Sequence, residues 1–143
     1  MLNDYFARLS LVLSQGEQMN DILVLEPTTT IWLYYSYVMN APRCMEIGSA
    51  FQRFVTTLEK AQAEYDLGSE NIIKDRGSVR GGKFVVGKRA YAKVVIPPMT
   101  ENLNAGTFSL IRQFVEAGGQ LVLFAQPTLV DGRPSPELAD FLD

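Results

Sequence analysis

The chain has 143 residues, 13 basic and 16 acidic side chains for a net charge of -3, one cysteine and no histidine. This length predicts one domain, residues 1–143, and the nearly balanced charge gives no overall field that would attract nucleic acid or an anionic membrane. The absence of histidine removes the commonest general base and metal ligand, and the single Cys44 excludes an internal disulfide and a cysteine-rich metal site.

The apolar runs of the chain are too short to span a membrane, and its amino terminus lacks the basic and apolar regions of a signal peptide. We therefore expect a soluble chain without a membrane partner. The compartment stays open, with a periplasmic or secreted parent protein as one option.

The amino-terminal third predicts a helix followed by a buried strand. Apolar side chains at helical spacing predict an amphipathic helix over residues 4–15, ended by Gly16. Residues 21–25 form an apolar run without alternation, which is typical of a central parallel strand covered on both faces. The aromatic-rich stretch 28–47 fits neither period, so we predict a long loop with one helical turn there.

The middle of the chain predicts a crossover helix, a short strand and a hairpin. A helical stripe over residues 48–61 leads to a second parallel strand at Tyr65 to Gly68, reached by a right-handed connection. Residues 70–73 form one helical turn. The strands Lys83 to Val86 and Tyr91 to Ile96 flank Gly87-Lys88-Arg89 and form a hairpin that leads into the sheet.

The last third predicts a strand, a helix and another strand. Val94 to Ile96 form a buried strand stopped by two prolines, and a helix capped by Asn104 or Thr107 ends at Gly118-Gly119. Residues 121–124 form the next strand. In the predicted sheet the strand at Tyr65 is outermost, followed by those at Ile22, Val94 and Leu121. Ser135-Pro136 begins a final helix of about two turns, which favours a natural chain that continues.

Two stretches carry a family resemblance. They are YFARLSLVLSQGEQMNDILVLEPT, residues 5–28, and GKFVVGKRAYAKVVIPPMTENLNAGTFSLIRQFVEAGGQLVLF, residues 82–124. The first resembles the opening of the glutamine-amidotransferase-like, flavodoxin-related domain of large bacterial glycoside hydrolases akin to the rhamnosidase-type family 106 and family 2 sugar-binding-domain enzymes. The second is similar to the later half of that domain and to the trimerisation domain of family 42 β-galactosidases.

This resemblance implies a fold and a role. The fold would be α/β, a three-layer α/β/α sandwich with a flavodoxin-like parallel sheet, as in class I glutamine amidotransferases. The role would be a non-catalytic accessory domain of a carbohydrate-degrading hydrolase, with other domains of that enzyme or a second copy as partners. Amidotransferase chemistry needs a cysteine on a tight elbow, with histidine and glutamate. Cys44 lies on no such elbow, so we expect no catalytic residue in this chain.

Several side chains are candidates for a ligand site. Glu26, Asp66 and Glu101 lie just beyond predicted strand ends, where open α/β sheets bind ligands. Paired carboxylates also serve glycosidases, but acidic residues after strands are common as loop acceptors and caps. Ring faces for a sugar are offered by Trp32, Tyr34, Tyr35 and Tyr37. The alternative is that these aromatic side chains pack over the sheet or against a neighbouring domain. The rival function is a stand-alone module that binds a carbohydrate or another small ligand.

The glycine-spaced segment 74–93 contains seven of the 13 basic residues. It carries no nucleic-acid motif, so we predict a solvated hairpin whose charges protect a sheet edge, and no nucleic-acid partner. Gly77, Gly81 and Gly82 neither follow a parallel strand nor open a helix. We therefore expect no nucleotide and no other cofactor, and no metal.

Overall fold

A parallel four-stranded sheet organises the chain, and the computed structural model describes residues 2–37 and 41–143. In these residues the helices are α1 (Leu2–Ser14), α2 (Thr28–Tyr34), α3 (Pro42–Lys60), α4 (Glu70–Arg76), α5 (Ala105–Glu116) and α6 (Pro136–Leu142). The strands are β1 (Ile22–Leu25), β2 (Asp66–Gly68), β3 (Gly77–Arg80), β4 (Lys83–Val86), β5 (Arg89–Tyr91), β6 (Lys93–Ile96), β7 (Asn102–Leu103), β8 (Gln120–Leu123), β9 (Leu129–Val130) and β10 (Arg133–Pro134).

The main sheet has the strand order β2-β1-β6-β8, with every neighbouring pair parallel. This is the predicted order, and the chain is therefore an α/β protein with a parallel sheet. In register, Leu23 lies beside Val94, and Val94 beside Leu121. β1 lies inside the sheet, between β2 and β6. The crossover from β1 leads outward to β2, and the chain then returns past β1 to form β6.

The hydrophobic core lies on one face of this sheet. Leu23, Leu25, Val94 and Ile96 point to that face, and α4, α5, α6 and β4 supply the side chains that cover them. The rings of Phe84 and Phe114 meet edge to face there, with centroids 5.7 Å apart. Burying each such side chain contributes about 1.5–3 kcal/mol.

β1 and β6 are buried on both faces, which explains their unbroken apolar sequence. Val24 and Val95 point away from the core just described, yet they are 0% and 6% exposed. Strands covered on both sides have no solvated face and lose the alternation that marks a half-exposed strand. β8 differs because it is an edge strand, and its apolar side chains are only partly buried.

Two small sheets flank the main one. β3, β4 and β5 form an antiparallel sheet, so the predicted hairpin is correct in its turn but has a third strand, and β6 begins at Lys93 instead of Tyr91. The other contains β10, β9 and β7, with β7 and β9 parallel, and was not predicted. Its strands have only two residues each, too few for a detectable period.

The prediction of a long loop over residues 28–47 is wrong. Residues 28–34 form α2, and α3 starts at Pro42, well before the predicted start at 48; Val38, Met39 and Asn40 lie outside the described residues. The buried face of α2 consists of Thr29 and Thr30. A helix that buries threonines shows no apolar stripe, which is why the sequence of α2 did not reveal a helical period.

Other helix predictions are correct in place and differ in length. α5 has Asn104 at its N-cap position, and α4 continues past the single predicted turn to Arg76. α6 begins as predicted: Ser135 Oγ accepts the Leu138 N–H at 3.2 Å, and Pro136 occupies the first turn. In the part of the chain that the structure describes, no helix is both long enough and apolar enough to cross a membrane.

α1 forms where the apolar spacing predicted it, but it has no buried residue. Its large apolar side chains are 39% to 75% exposed, and they are Leu2, Tyr5, Phe6, Leu9, Leu11, Val12 and Leu13. An amphipathic helix normally turns such a stripe towards a core. Here the stripe faces solvent.

Candidate functional site

The loops that follow β1, β2 and β6 gather at the carboxyl edge of the main sheet. From β1 the chain moves outward to β2, and from β6 it moves in the opposite direction to β8. In open α/β folds, ligands usually bind at the carboxyl edge beside such a reversal of strand order. α2 fills the crevice between the carboxyl ends of β1 and β6. Thr30 Oγ1 accepts the N–H groups of Glu101 and Asn102 at 3.0 and 3.1 Å, so the crevice is closed by protein.

Glu101 lies at this edge in a cluster with Tyr34 and Arg43. The Tyr34 hydroxyl and the Arg43 guanidinium both donate to the Glu101 carboxylate, and Arg43 also pairs with Glu46 at 3.0 Å. The guanidinium lies 5.8 Å from the centre of the Tyr34 ring. The sequence identified Glu101 and Tyr34 separately, but it did not identify Arg43 as their link.

Arg43 carries the positive charge of this cluster and pairs with the carboxylates of Glu101 and Glu46. Burial raises the pKa of Glu101, but the hydrogen bonds from Tyr34 and Arg43 outweigh it and hold that pKa below its usual value. The same hydrogen bond to Glu101 raises the pKa of Tyr34. Glu101 is therefore an ionised partner of Arg43 and lacks the raised pKa that a general acid requires.

The loop between β6 and Glu101 contains a tight turn. Met99 has a φ of 63°, in the left-handed region, and the Thr100 hydroxyl donates to the Pro97 carbonyl at 2.8 Å. A nucleophile would stand here in an enzyme with a strand elbow. Met99 carries no nucleophile, and Cys44 lies on α3, where its thiol contacts the Ile31 carbonyl at 3.5 Å.

Glu70 is a buried carboxylate that the sequence did not single out. It is 3% exposed and lies at the start of α4, just after β2. Its carboxylate accepts the Thr29 hydroxyl at 2.5 Å and the Asn104 N–H at 2.7 Å. The Thr107 hydroxyl is also buried and helps to lower the pKa of Glu70, but it makes no hydrogen bond of ordinary geometry. Glu70 thus joins α2, α4 and α5.

Burial dominates the titration of Glu70. It raises the pKa of the carboxyl above its ordinary value, and the hydrogen bonds from Thr29 and Asn104, together with the nearby Thr107 hydroxyl, counter only part of that rise. The negative charge of Asp131 adds to the rise. Perturbed carboxylates do occur at catalytic sites, but this one is buried and is bound to Thr29 and Asn104.

The predicted grouping of Glu26, Asp66 and Glu101 does not form. Asp66 is the first residue of β2 and lies at the amino edge of the sheet, so its predicted place beyond a strand end is wrong. Its carboxylate accepts the Asn20 amide at 2.6 Å and the Tyr91 hydroxyl at 2.8 Å. Glu26 does follow β1, but it is half-buried and its side chain makes no hydrogen bond within the described residues.

The aromatic side chains of α2 and the residues after it are exposed. Trp32 is 56% exposed and Tyr37 is 93% exposed, so the alternative in which they pack over the sheet is wrong for this chain. Packing against a neighbouring domain stays a prediction. Trp32 borders a cleft of about 420 Å³, whose other lining residues are Asn71, Lys74, Asn104, Ala105, Gly106 and Asp131. Sequence reasoning missed these residues because they come from separate elements.

The basic segment runs from α4 through the β3–β5 sheet to the first residue of β6. Arg89 donates to the Gln18 carbonyl and lies 4.0 Å from Glu17, and Lys83 lies 4.0 Å from Asp21. These pairs offset part of the positive charge. Within residues 2–37 and 41–143, no group of three or more metal-ligating side chains could hold a metal ion.

No family model, no curated protein and no solved structure matches this chain. The resemblance to the amidotransferase-like domain of glycoside hydrolases therefore stays a prediction.

Proposed function

We propose that the chain is a non-catalytic accessory domain that works by packing against another protein surface, within a carbohydrate-active enzyme of the kind that the sequence resemblance implies. The observation that carries this proposal is α1, a helix of 13 residues with no buried side chain. A domain that acted alone would have little use for it.

The energetics of α1 favour a partner. An isolated helix of about 12–15 residues is marginal in water, because most helical stability in proteins comes from packing an apolar face. Burying a large apolar side chain contributes about 1.5–3 kcal/mol, and α1 leaves seven of them exposed. Contiguous exposed apolar surface of this extent commonly marks a contact with another protein.

The arrangement of polar groups supports a non-catalytic role. Glu101 is engaged with Arg43, Asp66 lies at the opposite edge of the sheet, and Glu70 is buried. No two of these carboxylates face a common cleft. The strand order β2-β1-β6-β8 also supports the finer fold proposal, a flavodoxin-like three-layer sandwich of the amidotransferase type.

Hydrogen exchange tests the proposal. We expect the backbone amides of α1 to exchange fast in the isolated 143-residue chain and slowly in the protein purified from its natural host, where the partner surface covers the helix. Leu9→Ser with Val12→Ser should abolish that protection. Ala7→Ser, on the opposite face of α1, is the matched control and should keep it.

Two results would count against this function. One is equally fast exchange of the α1 amides in both proteins, because the stripe would then have no partner. The other is turnover of aryl glycosides by the isolated chain, since an accessory domain should be inactive.

A further inference from the structure

The cleft beside Trp32 is built from elements that all begin at the carboxyl edge of the main sheet. α2 follows β1, α4 follows β2, and α5 follows β6 and β7. The turn between β9 and β10 supplies Asp131 and closes the fourth side. Its volume of about 420 Å³ is within the range of small-molecule sites, which are about 300–1,000 Å³.

Four of the polar side chains around this cleft have no partner among the residues that the structure describes. Among residues 2–37 and 41–143, the indole N–H of Trp32, the amides of Asn71 and Asn104 and the ammonium group of Lys74 make no hydrogen bond or ion pair. Asn104 is notable because it occupies the N-cap position of α5 without forming a side-chain cap. These four hydrogen-bonding groups line one cleft, where they are available to a ligand.

The charges of the cleft disfavour an anion. Asp131 Oδ1 accepts the Ala105 N–H at 3.1 Å, which places a carboxylate at the amino terminus of α5. A helix amino terminus is attractive to phosphate when its N–H groups are open, and here a carboxylate already occupies this position. Lys74 balances Asp131, so the lining is close to neutral.

We propose that this cleft binds a neutral sugar, with one ring against the indole of Trp32 and its hydroxyls on Asn71 and Asn104. An amide offers both a donor and an acceptor, which is what a hydroxyl group requires of its partner. An indole face provides flat apolar area for the C–H face of a sugar ring. Trp32 is 56% exposed, so its face is accessible.

The walls of the cleft are held in place before any ligand arrives. Glu70 accepts the Asn104 N–H at 2.7 Å, and the Asn102 carboxamide accepts the Gly132 N–H at 2.7 Å. These bonds fix the start of α5 and the turn that contains Asp131. Such preorganisation lowers the cost of binding because little has to be ordered.

Fluorescence titration of the isolated chain tests this inference directly, because Trp32 is the only tryptophan. The probes are a panel of neutral mono- and disaccharides, with inorganic phosphate as the anionic comparison. We expect a saturable change with at least one sugar in the millimolar range and none with phosphate. Asn71→Ala with Asn104→Ala should weaken binding by about tenfold or more, since two hydrogen-bonding groups are lost.

Asn3→Ala, an exposed asparagine on α1, is the matched control and should leave the affinity unchanged. Thermal denaturation of the double variant checks that it folds. For Trp32→Ala, ligand-observed NMR replaces fluorescence, and binding should be lost. The inference is overturned if no sugar gives a saturable change, if phosphate gives the same change, or if the double variant binds as tightly as the wild type. These experiments do not involve the stripe of α1, so their failure would leave the assembly role untouched.

Discussion

Replacement of Glu70 tests the view that a buried carboxylate ties three helices together. Glu70→Ala would leave the Asn104 N–H without its acceptor and force the Thr29 hydroxyl to turn to the Asn102 carbonyl, 3.3 Å away. A buried polar group without a partner costs about 1–3 kcal/mol, and the lost side-chain volume adds to that. We expect the free energy of unfolding to fall by about 2–4 kcal/mol, or roughly 6–12 °C in Tm.

Glu70→Gln should behave very differently. The glutamine amide can donate to Thr29, Thr29 can donate to the Asn102 carbonyl, and the glutamine carbonyl can accept the Asn104 N–H. The present partners of Glu70 would all keep a hydrogen bond, and no charge would be buried. We therefore expect this variant to match or exceed the wild type at neutral pH, within about 1 kcal/mol.

The contribution of Glu70 to the free energy of unfolding depends on pH. Burial raises the folded-state pKa of Glu70 above its ordinary value of 4.5. The contribution of Glu70 to stability is therefore complete below that value and is lost as the pH rises through the folded-state pKa. The unfolding free energy of the wild type should consequently fall relative to that of Glu70→Gln between pH 4.5 and neutrality.

Urea denaturation at several pH values, followed by circular dichroism, gives the unfolding free energies of the wild type, Glu70→Ala and Glu70→Gln. Glu116→Ala, at an exposed position on α5, is the control and should change stability by less than about 0.5 kcal/mol. The reasoning fails if Glu70→Ala is no more destabilising than this control. It also fails if the wild type gains stability over Glu70→Gln as the pH rises.

Thermal denaturation and tyrosine titration test two further positions. Gly48→Ala should raise stability by about 0.5–1 kcal/mol, because Gly48 lies inside α3 and a Cβ there meets nothing within 4 Å. Gly119→Ala should lower it by about 1–3 kcal/mol, because its Cβ would collide with the buried ring of Phe114; equal Tm values for the two variants would contradict both expectations. Glu101→Gln should lower the pKa of Tyr34, because the hydrogen bond to that carboxylate is the main cause of the raised value. Subtracting the titration of a Tyr34→Phe variant isolates the Tyr34 curve, and a curve that Glu101→Gln leaves unchanged would contradict this expectation.

The sequence was most informative where strands are buried on both faces. Unbroken apolar runs identified β1 and β6, and a similar run identified β8 although that edge strand is only partly buried. The order predicted for these strands and β2 is the observed one. Helices with an apolar stripe were equally visible, including α1, although its period could not reveal that the stripe faces solvent.

The remaining features depend on contacts between distant residues. Thr29 is buried because Glu70, 41 residues later, accepts its hydroxyl, and neither residue looks buried when it is considered alone. α2 therefore had no recognisable face. Asp66 was misplaced because a three-residue strand does not show which of its ends carries the acidic side chain. The lining of the Trp32 cleft was missed for the same reason, since its members only meet in the folded chain.

The turn between β9 and β10 has a consequence for cooperativity. It brings Asp131 to a cleft that Trp32 borders on the other side, so the lining spans about a hundred residues of sequence. Only the folded chain can assemble it, and any ligand that binds there shifts the equilibrium away from the unfolded state by mass action. At a concentration of about 100 times its Kd, the ligand would add roughly 2.7 kcal/mol to the unfolding free energy. Melting temperature measured against ligand concentration would then report occupancy of this cleft without any spectroscopic label.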